Sequence, residues 1–389
     1  MESDKIQPIK PLPYSYYFYS VVIIALSGFC DSVYLSISHY RVYTDLGYQS
    51  FCAVSQAINC DTVSQSPYSI FLGVPVPVWG MVGYASFLFL LFYARSAPEK
   101  SRRIWSLLFL IAFAFSVYSM ILAAVSTFFI HSYCIMCILS YAVNLLLIYF
   151  TWLIRKRFRG EPLLQGVGLD VRYLISRRKS FLPVMCSLCV GVAVMMLFFP
   201  AYWLMRPPVL SKDIPTGVTE EGFPWIGAED PELVIVEFTD YRCFQCKKMH
   251  FFLRRIIQEQ PGKIRLVHRH FPMDPTINPI VHQPLHSGAA KLAMLAIIAE
   301  ENQKFWEMND LLFGIKRKTE AVNMDYFAQQ TEIPLETVKA AFRNPKMWMK
   351  LRKDIEDGIK IGLSGTPGYL INGQVYLGLI PAELLRKYF

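Results

Sequence analysis

Long apolar runs separated by short polar breaks fill the first half of the chain, and shorter patterned elements fill the second. A helix needs about 20 mostly apolar residues to cross a bilayer. On that measure, spans are predicted near 16–38, 79–94, 104–129, 134–154 and 181–204. Three hold interior Gly or Pro, which membrane helices tolerate. No small-residue cleavage site follows the first run, so it reads as a span and not as a signal peptide. Between spans one and two, LGVPVPVWG predicts a chain that turns back, and Ser66 to Leu72 reads as a short surface helix.

The pattern changes after residue 204. MRPPVLSKDIPTGVTEEGFPW, rich in Pro and charge, reads as a linker over 205–224. ELVIVEFTDYRCFQCKKMHFFLRRIIQEQ then predicts a buried strand, a turn and an amphipathic helix. IRLVHRHFPMD predicts a second strand, and about 284–360 reads as helical. GTPGYLINGQVYLG predicts two strands joined by a hairpin at Asn372-Gly373, before a terminal helix. The expected architecture is an α-helical membrane bundle, a four-helix core (1–155) plus a fifth linking helix (181–204), then an α/β domain (225–389). Between core and fifth helix, 156–180 reads as a basic loop.

Charge sets the predicted orientation, since Lys and Arg collect in cytoplasmic loops near the spans. Lys5 and Lys10, then Arg95, Lys100, Arg102 and Arg103, then Arg155 to Lys179 place fourteen basic residues on one face. Arg41 and Arg206 stand on the other. The N-terminus is therefore expected inside, and everything after about 205 outside. The net charge of +9 has the same origin: up to Arg206 there are sixteen basic and eight acidic residues, beyond it twenty-three and twenty-two. A nucleic-acid partner would need a basic stripe on a folded domain, so none is expected.

Nine cysteines then change the picture. Six form three pairs on the predicted outer face: Cys52 with Cys60, Cys134 with Cys137, and Cys243 with Cys246. Disulfides persist in such a compartment, and electrons pass between pairs only by direct attack of one sulfur on another. Cys52–Cys60 alone is as well explained by a stabilising loop disulfide. Cys134-Ile-Met-Cys137 opens a helix, where unsatisfied N–H groups favour a thiolate. A shared zinc site with Cys186-x-x-Cys189 is excluded by that topology, because about 30 Å of bilayer core would separate the pairs. Cys186, Cys189 and Cys30 read as packed apolar residues. Asp31, inside span one, is a functional acid by default but equally a structural group near the edge; no role is assigned to it. His268 and His270, on a predicted strand, read as packing or surface residues, and no metal is expected.

Residues 15–155 resemble the bacterial vitamin K epoxide reductase (VKOR) family in GFCDSVYLSISHY, the loop pair Cys52 and Cys60, SPYSIFLGVPVPVWG with Ser66, and Cys134-Ile-Met-Cys137 followed by Tyr141. The resemblance implies a bundle that holds a quinone, ubiquinone or menaquinone, beside Cys137. The loop pair would relay electrons to Cys134, and Ser66 and Tyr141 would lie near the quinone. Tyr141 reads equally as an ordinary interfacial aromatic.

Strand, Cys-x-x-Cys, helix is a thioredoxin-like signature, and 225–389 resembles the DsbA-like branch, with a helical insertion of about 75 residues. The resemblance implies a cis Thr366-Pro367 peptide facing the cysteines. Arg242, Lys247 and Lys248 are candidates to stabilise a Cys243 thiolate. The Phe-Gln dipeptide departs from the best-known member, which carries a His there.

Together the two resemblances imply a quinone-dependent disulfide oxidoreductase of a bacterial inner membrane, acting on thiols of exported proteins and drawing on the bilayer's quinone pool. Two alternatives stay open: a quinol-driven reductase or isomerase, and a membrane-tethered thioredoxin-fold chaperone without quinone chemistry.

Overall fold

The computed structural model describes residues 12–55, 57–97, 102–209, 213–282, 286–315 and 323–386. Lys5, Lys10, Lys100 and linker residues 210–212 lie outside them. The chain divides into two compact units, Met1–Trp203 and Leu204–Phe389.

In the first unit, α1 (Tyr14–Thr44) leads into a loop with α2 (Cys60–Ser64) and a two-stranded hairpin, β1 (Ile70–Phe71) and β2 (Val74–Pro75). Four long helices follow: α3 (Val76–Ser96), α4 (Trp105–Val125, continued by a π turn at Ser126–Ile130), α5 (Ile135–Phe158) and α7 (Arg178–Phe198), with α6 (Leu163–Ser176) between the last two. Among the described residues, five helices are long and apolar enough to cross a membrane, α4 with its π turn among them. α1, α3, α4 and α5 enclose an apolar core that includes Val21, Phe87, Trp105, Leu108 and Leu147. Gly28 lets α1 approach α3: a Cβ there would sit 2.5 Å from the Tyr84 ring. α7 has no buried residue.

Two segments differ from expectation. The stretch 156–180 is not a plain basic loop, because α6 occupies most of it. Asp170 of α6 pairs with Arg159 at 2.8 Å and accepts the Ser106 N–H at 2.8 Å. The carboxylate thus neutralises a basic residue and caps the start of α4, a double use that charge counting does not reveal. Ser66 to Leu72 is not a surface helix either. One 3-10 turn at Pro67–Ser69 is followed at once by β1, and Leu72 and Gly73 turn back with positive φ of 50° and 74°. Pro67 suits the first position of a turn, but the following Gly and Pro residues leave no room for a second.

The second unit is built on a six-stranded sheet ordered β3-β4-β6-β5-β7-β8. Its strands are β3 (Thr216–Val218), β4 (Pro224–Gly227), β5 (Leu233–Thr239), β6 (Ile264–His270), β7 (Gly368–Ile371) and β8 (Gln374–Leu377). β5 and β6 are parallel, joined through α8 (Phe244–Glu259), and β7 lies antiparallel on β5. α9 (Ala289–Glu301), α10 (Phe305–Gly314), α11 (Met324–Thr331), α12 (Leu335–Arg343) and α13 (Pro345–Lys360) form the insertion, and α14 (Ala382–Arg386) follows β8. The insertion is locked to the sheet by Arg269 of β6, whose Nε and Nη2 donate to Asp354 of α13 at 2.9 and 2.7 Å. The expected linker gives way to sheet at Thr216, where β3 pairs with β4. Pro and Gly masked this edge strand, since Pro is confined to edges and strand starts.

Candidate functional site

The cysteines of the first unit converge. Asn59 caps α2 by accepting the Thr62 N–H at 3.0 Å, which fixes Cys60 at the helix start. The loop is then clamped to the short connection before α5: the Asn59 N–H donates to the Tyr133 carbonyl at 2.9 Å and the Tyr133 N–H to the Ala57 carbonyl at 2.8 Å. Cys52 and Cys60 form a disulfide. The Cys134 sulfur lies within 4.8 Å of both of theirs, and all three residues are buried. Cys134 is also the N-cap of α5, its sulfur accepting the Cys137 N–H at 3.3 Å.

Cys137 is one turn further in. It lines a cavity of about 360 Å³, within the range of small-molecule sites. The walls are mostly apolar, among them Leu35, Phe115 and Leu122, and Ser66 and Tyr141 line it as well. The Ser66 hydroxyl donates to the Val63 carbonyl at 2.7 Å, so it keeps lone pairs and not its proton for a ligand. A flat, lipid-soluble quinone with two carbonyl oxygens suits such a site: apolar walls, a few polar groups and a cysteine.

Sequence reasoning assigned nothing to several polar groups here. Asn144 bridges three helices, accepting the Tyr84 O–H at 2.7 Å and donating to Ser119 at 2.8 Å. His39 is buried between Tyr202 at 2.8 Å and Ser69 at 3.2 Å. Both line the cavity. The available signal was polarity inside an apolar span, which is costly unless used. Cys30, Cys186 and Cys189 are exposed on the bundle's outer surface. They are thus not packed in its core as expected. The hydropathy of a membrane helix does not separate a lipid-facing side from a protein-facing one.

In the second unit, Cys243 is the N-cap of α8, and its sulfur accepts the Cys246 N–H at 3.3 Å. The Thr366-Pro367 peptide is cis, and the Thr366 carbonyl lies 3.6 Å from the Cys243 sulfur. Hydrogen bonding from the Cys246 thiol, against burial and helped by the charge of His286, brings the Cys243 thiol down to about 6. Burial, then the Cys243 sulfur, pushes Cys246 well up. The pair is therefore asymmetric, with one sulfur ready to attack or leave and the other held as a thiol.

The helpful cation is not the expected one. Lys247 and Lys248 stand over the Phe251 and Phe244 rings at 5.7 and 6.0 Å. His286 is oriented by Asp240, which it meets at 2.8 Å. It comes from a segment over forty residues away, so spacing around the Cys-x-x-Cys could not announce it.

His268 and His270 are buried packing residues. Glu237 accepts from His250 Nδ1 at 2.6 Å and His268 Nδ1 at 3.0 Å, and Asn309 meets His250 Nε2 at 2.9 Å. Burial alone would raise the Glu237 carboxyl, but His250 and His268 hold it down to about 2. Burial outweighs Glu237 and lowers His250. A His250 that donates from Nδ1 to Glu237 and accepts at Nε2 from Asn309 satisfies the geometry at both ring nitrogens. The ligand atoms of Glu237, His250 and His268 lie within 4.8 Å of one another, and hydrogen bonding among them accounts for that closeness.

Fold and sites define a class: a helical bundle with paired cysteines beside an apolar cavity, joined in one chain to a thioredoxin-fold unit with its own Cys-x-x-Cys. More particularly, the chain joins a domain of the vitamin K epoxide reductase family, matched over residues 19–152, to a thioredoxin-family domain, matched over 219–389. Disulfide bond formation protein D of Bacillus subtilis (strain 168) is 25% identical over 167 residues, covering 40% of this chain and 70% of that one. The Na(+)/H(+) antiporter NhaA 1 of Salinispora arenicola (strain CNS-205) is 22% identical over 244 residues, or 58% of this chain; the chain spans only 36% of that relative's length. Among solved structures, a thioredoxin-like oxidoreductase from Silicibacter pomeroyi DSS-3 aligns with 43% of this chain and 89% of its own, at 20% identity and a TM-score of 0.35.

Proposed function

We propose that this protein is a membrane thiol–disulfide oxidoreductase that forms disulfide bonds in exported proteins and delivers the electrons to quinone. The observation that carries this reading is the Cys134 sulfur within 4.8 Å of both sulfurs of the Cys52–Cys60 disulfide, with Cys137 behind it on the apolar cavity.

The steps follow from thiolate chemistry. A substrate thiolate attacks Cys243 of the oxidised head, Cys246 leaves, and the second substrate thiolate resolves the mixed disulfide. The substrate gains a disulfide and the head becomes a dithiol. The Cys243 thiolate then attacks the loop disulfide, and Cys246 resolves that intermediate, leaving Cys52 and Cys60 reduced. The loop dithiol reduces a Cys134–Cys137 disulfide in the same way, a step that the nearness of the Cys134 sulfur to the loop pair supports. A quinone in the cavity supplies the final sink, taking up two electrons and two protons. Cys137 faces it, Ser66 and Tyr141 bound its place, and the apolar walls exclude water. The tether keeps head and loop at high mutual concentration. This reading places the loop cysteines and the head on the periplasmic side of a bacterial inner membrane, with the N-terminus in the cytoplasm.

The test is quinone reduction by purified, membrane-reconstituted protein supplied with a reduced dithiol peptide. Stoichiometric peptide disulfide and quinol are expected. Peptide oxidation without quinol formation would remove the quinone from the scheme, and reduction of an oxidised peptide by added quinol, with no oxidation of the reduced one, would reverse its direction.

A further inference from the structure

Asp31 stands in α1 with 4% of its surface exposed, inside a span, where an ionisable group is costly. Oδ2 accepts a hydrogen bond from the Ser140 hydroxyl. Oδ1 is buried and has no hydrogen-bond partner among the described residues. A half-satisfied carboxyl at such a depth costs stability, which makes a purely structural role a poor explanation.

Its surroundings point to one purpose. Ser140 lies three residues after Cys137 on α5, hence on the same helix face, and both line the cavity. Ser32, next to Asp31 on α1, lines it too. Among the described residues, the titratable groups close enough to feel the charge of Asp31 are Tyr84 from α3 and Cys134 and Cys137 at the start of α5. Tyr84 is already committed as a donor to Asn144, so the cysteines are the groups whose protons move.

We propose that Asp31 is the proton-transfer group of the membrane site: through the Ser140 hydroxyl it takes the proton that Cys137 releases, and by the same hydroxyl returns it to the cavity. This rests on the quinone-reducing role proposed above. In the step it serves, two S–H bonds of the Cys134–Cys137 dithiol break and the S–S bond forms. Two electrons and two protons leave, and both reach the acceptor. Asp31 carries the proton from Cys137, so that a sulfur that must become a thiolate in an apolar site does so without a water molecule at hand. A carboxyl is suited to this because it binds and releases a proton with little rearrangement.

The test uses full-length protein with Asp31→Asn, Asp31→Glu and Ser140→Ala. Two readouts run in parallel: single-turnover quinone reduction, and transfer from reduced head to loop pair without quinone, followed by maleimide labelling. Asp31→Asn and Ser140→Ala should slow quinone reduction by about tenfold or more and give it a solvent deuterium isotope effect above about 2, as expected when a general acid–base step becomes limiting. Head-to-loop transfer should be unchanged, and Asp31→Glu should retain most activity. In quinone-free protein, the reduced-minus-oxidised infrared difference spectrum should contain a carboxyl C=O band that Asp31→Asn abolishes. If Asp31→Asn does not fold, Ser140→Ala decides, since it removes one oxygen. Quinone reduction within twofold of wild type, an equal loss in both readouts, or a spectrum without the carboxyl band would each overturn the inference. A wild type that transfers electrons to the loop but never to quinone would overturn the preceding proposal instead.

Discussion

The two Cys-x-x-Cys motifs are built alike and surrounded differently. In each, the first cysteine is the N-cap of a helix and its sulfur accepts the N–H of the second at 3.3 Å. Beyond that shared turn they part. The head pair meets Asp240, His286 and the Thr366 carbonyl, a polar rim suited to a protein thiol. The membrane pair meets a disulfide on one side and an apolar cavity on the other. The helix start makes a sulfur reactive, and the surroundings choose what it reacts with. Four predictions test how far that division holds.

The largest effect is expected at Cys137. Cys137→Ala should abolish multiple turnover with quinone as sole acceptor, while the head still completes a single exchange with substrate. Stopped-flow oxidation of a dithiol peptide, with quinol measured separately, checks it. Sustained turnover would mean that the membrane pair is not the exit and that the likeness between the motifs is only structural.

Next comes the scaffold of the head. Asp354 accepts Arg269 twice and the His270 N–H at 3.0 Å, with 4% of its surface exposed. Asp354→Ala leaves a buried guanidinium partly uncompensated and should cost the head about 3–5 kcal/mol. Urea unfolding followed by Trp fluorescence would measure it. The membrane pair should keep its labelling rate, because its geometry is set by α5 and the loop.

A smaller effect is expected at His286, whose charge lowers Cys243. At about 6 the Cys243 thiol lies below the ordinary cysteine value near 8.5, so the reduced head gains stability as pH rises between these values and loses it as pH falls through 6. His286→Ala should move the midpoint of iodoacetamide labelling upward and slow labelling at pH 6 by roughly threefold. Labelling of Cys134, near which the described residues place no such cation, should be unchanged. An unmoved midpoint would assign the low value to the helix start alone.

What the sequence disclosed divides along the same line as the two sites. Features carried by contiguous residues were legible: the five spans, the β5–Cys243–α8 unit, and the hairpin between β7 and β8. So was the order of the cysteines. Features made by distant residues were not. His286 reaches Cys243 from a separate segment, Asn144 meets Tyr84 and Ser119 across three helices, and Asp170 gives α6 its place by binding Arg159 and the start of α4. Short elements hid behind composition, as β3 did in a Pro-rich stretch and the β1–β2 hairpin among Gly and Pro.

The smallest effect is expected where spacing is most misleading. Cys186-x-x-Cys189 repeats the motif of the Cys134 and Cys243 pairs but sits inside α7. At an interior position the N–H groups are already bonded within the helix, so no sulfur receives the capping bond that Cys134 and Cys243 receive. Both residues are exposed on the outer surface of the bundle, where hydrocarbon and not water would meet them. Replacing both with Ala should change quinone-linked turnover by less than about twofold. A tenfold loss would show that spacing alone suffices to make such a pair a carrier, and the helix start would lose its place as the feature that marks the Cys134 and Cys243 pairs as carriers.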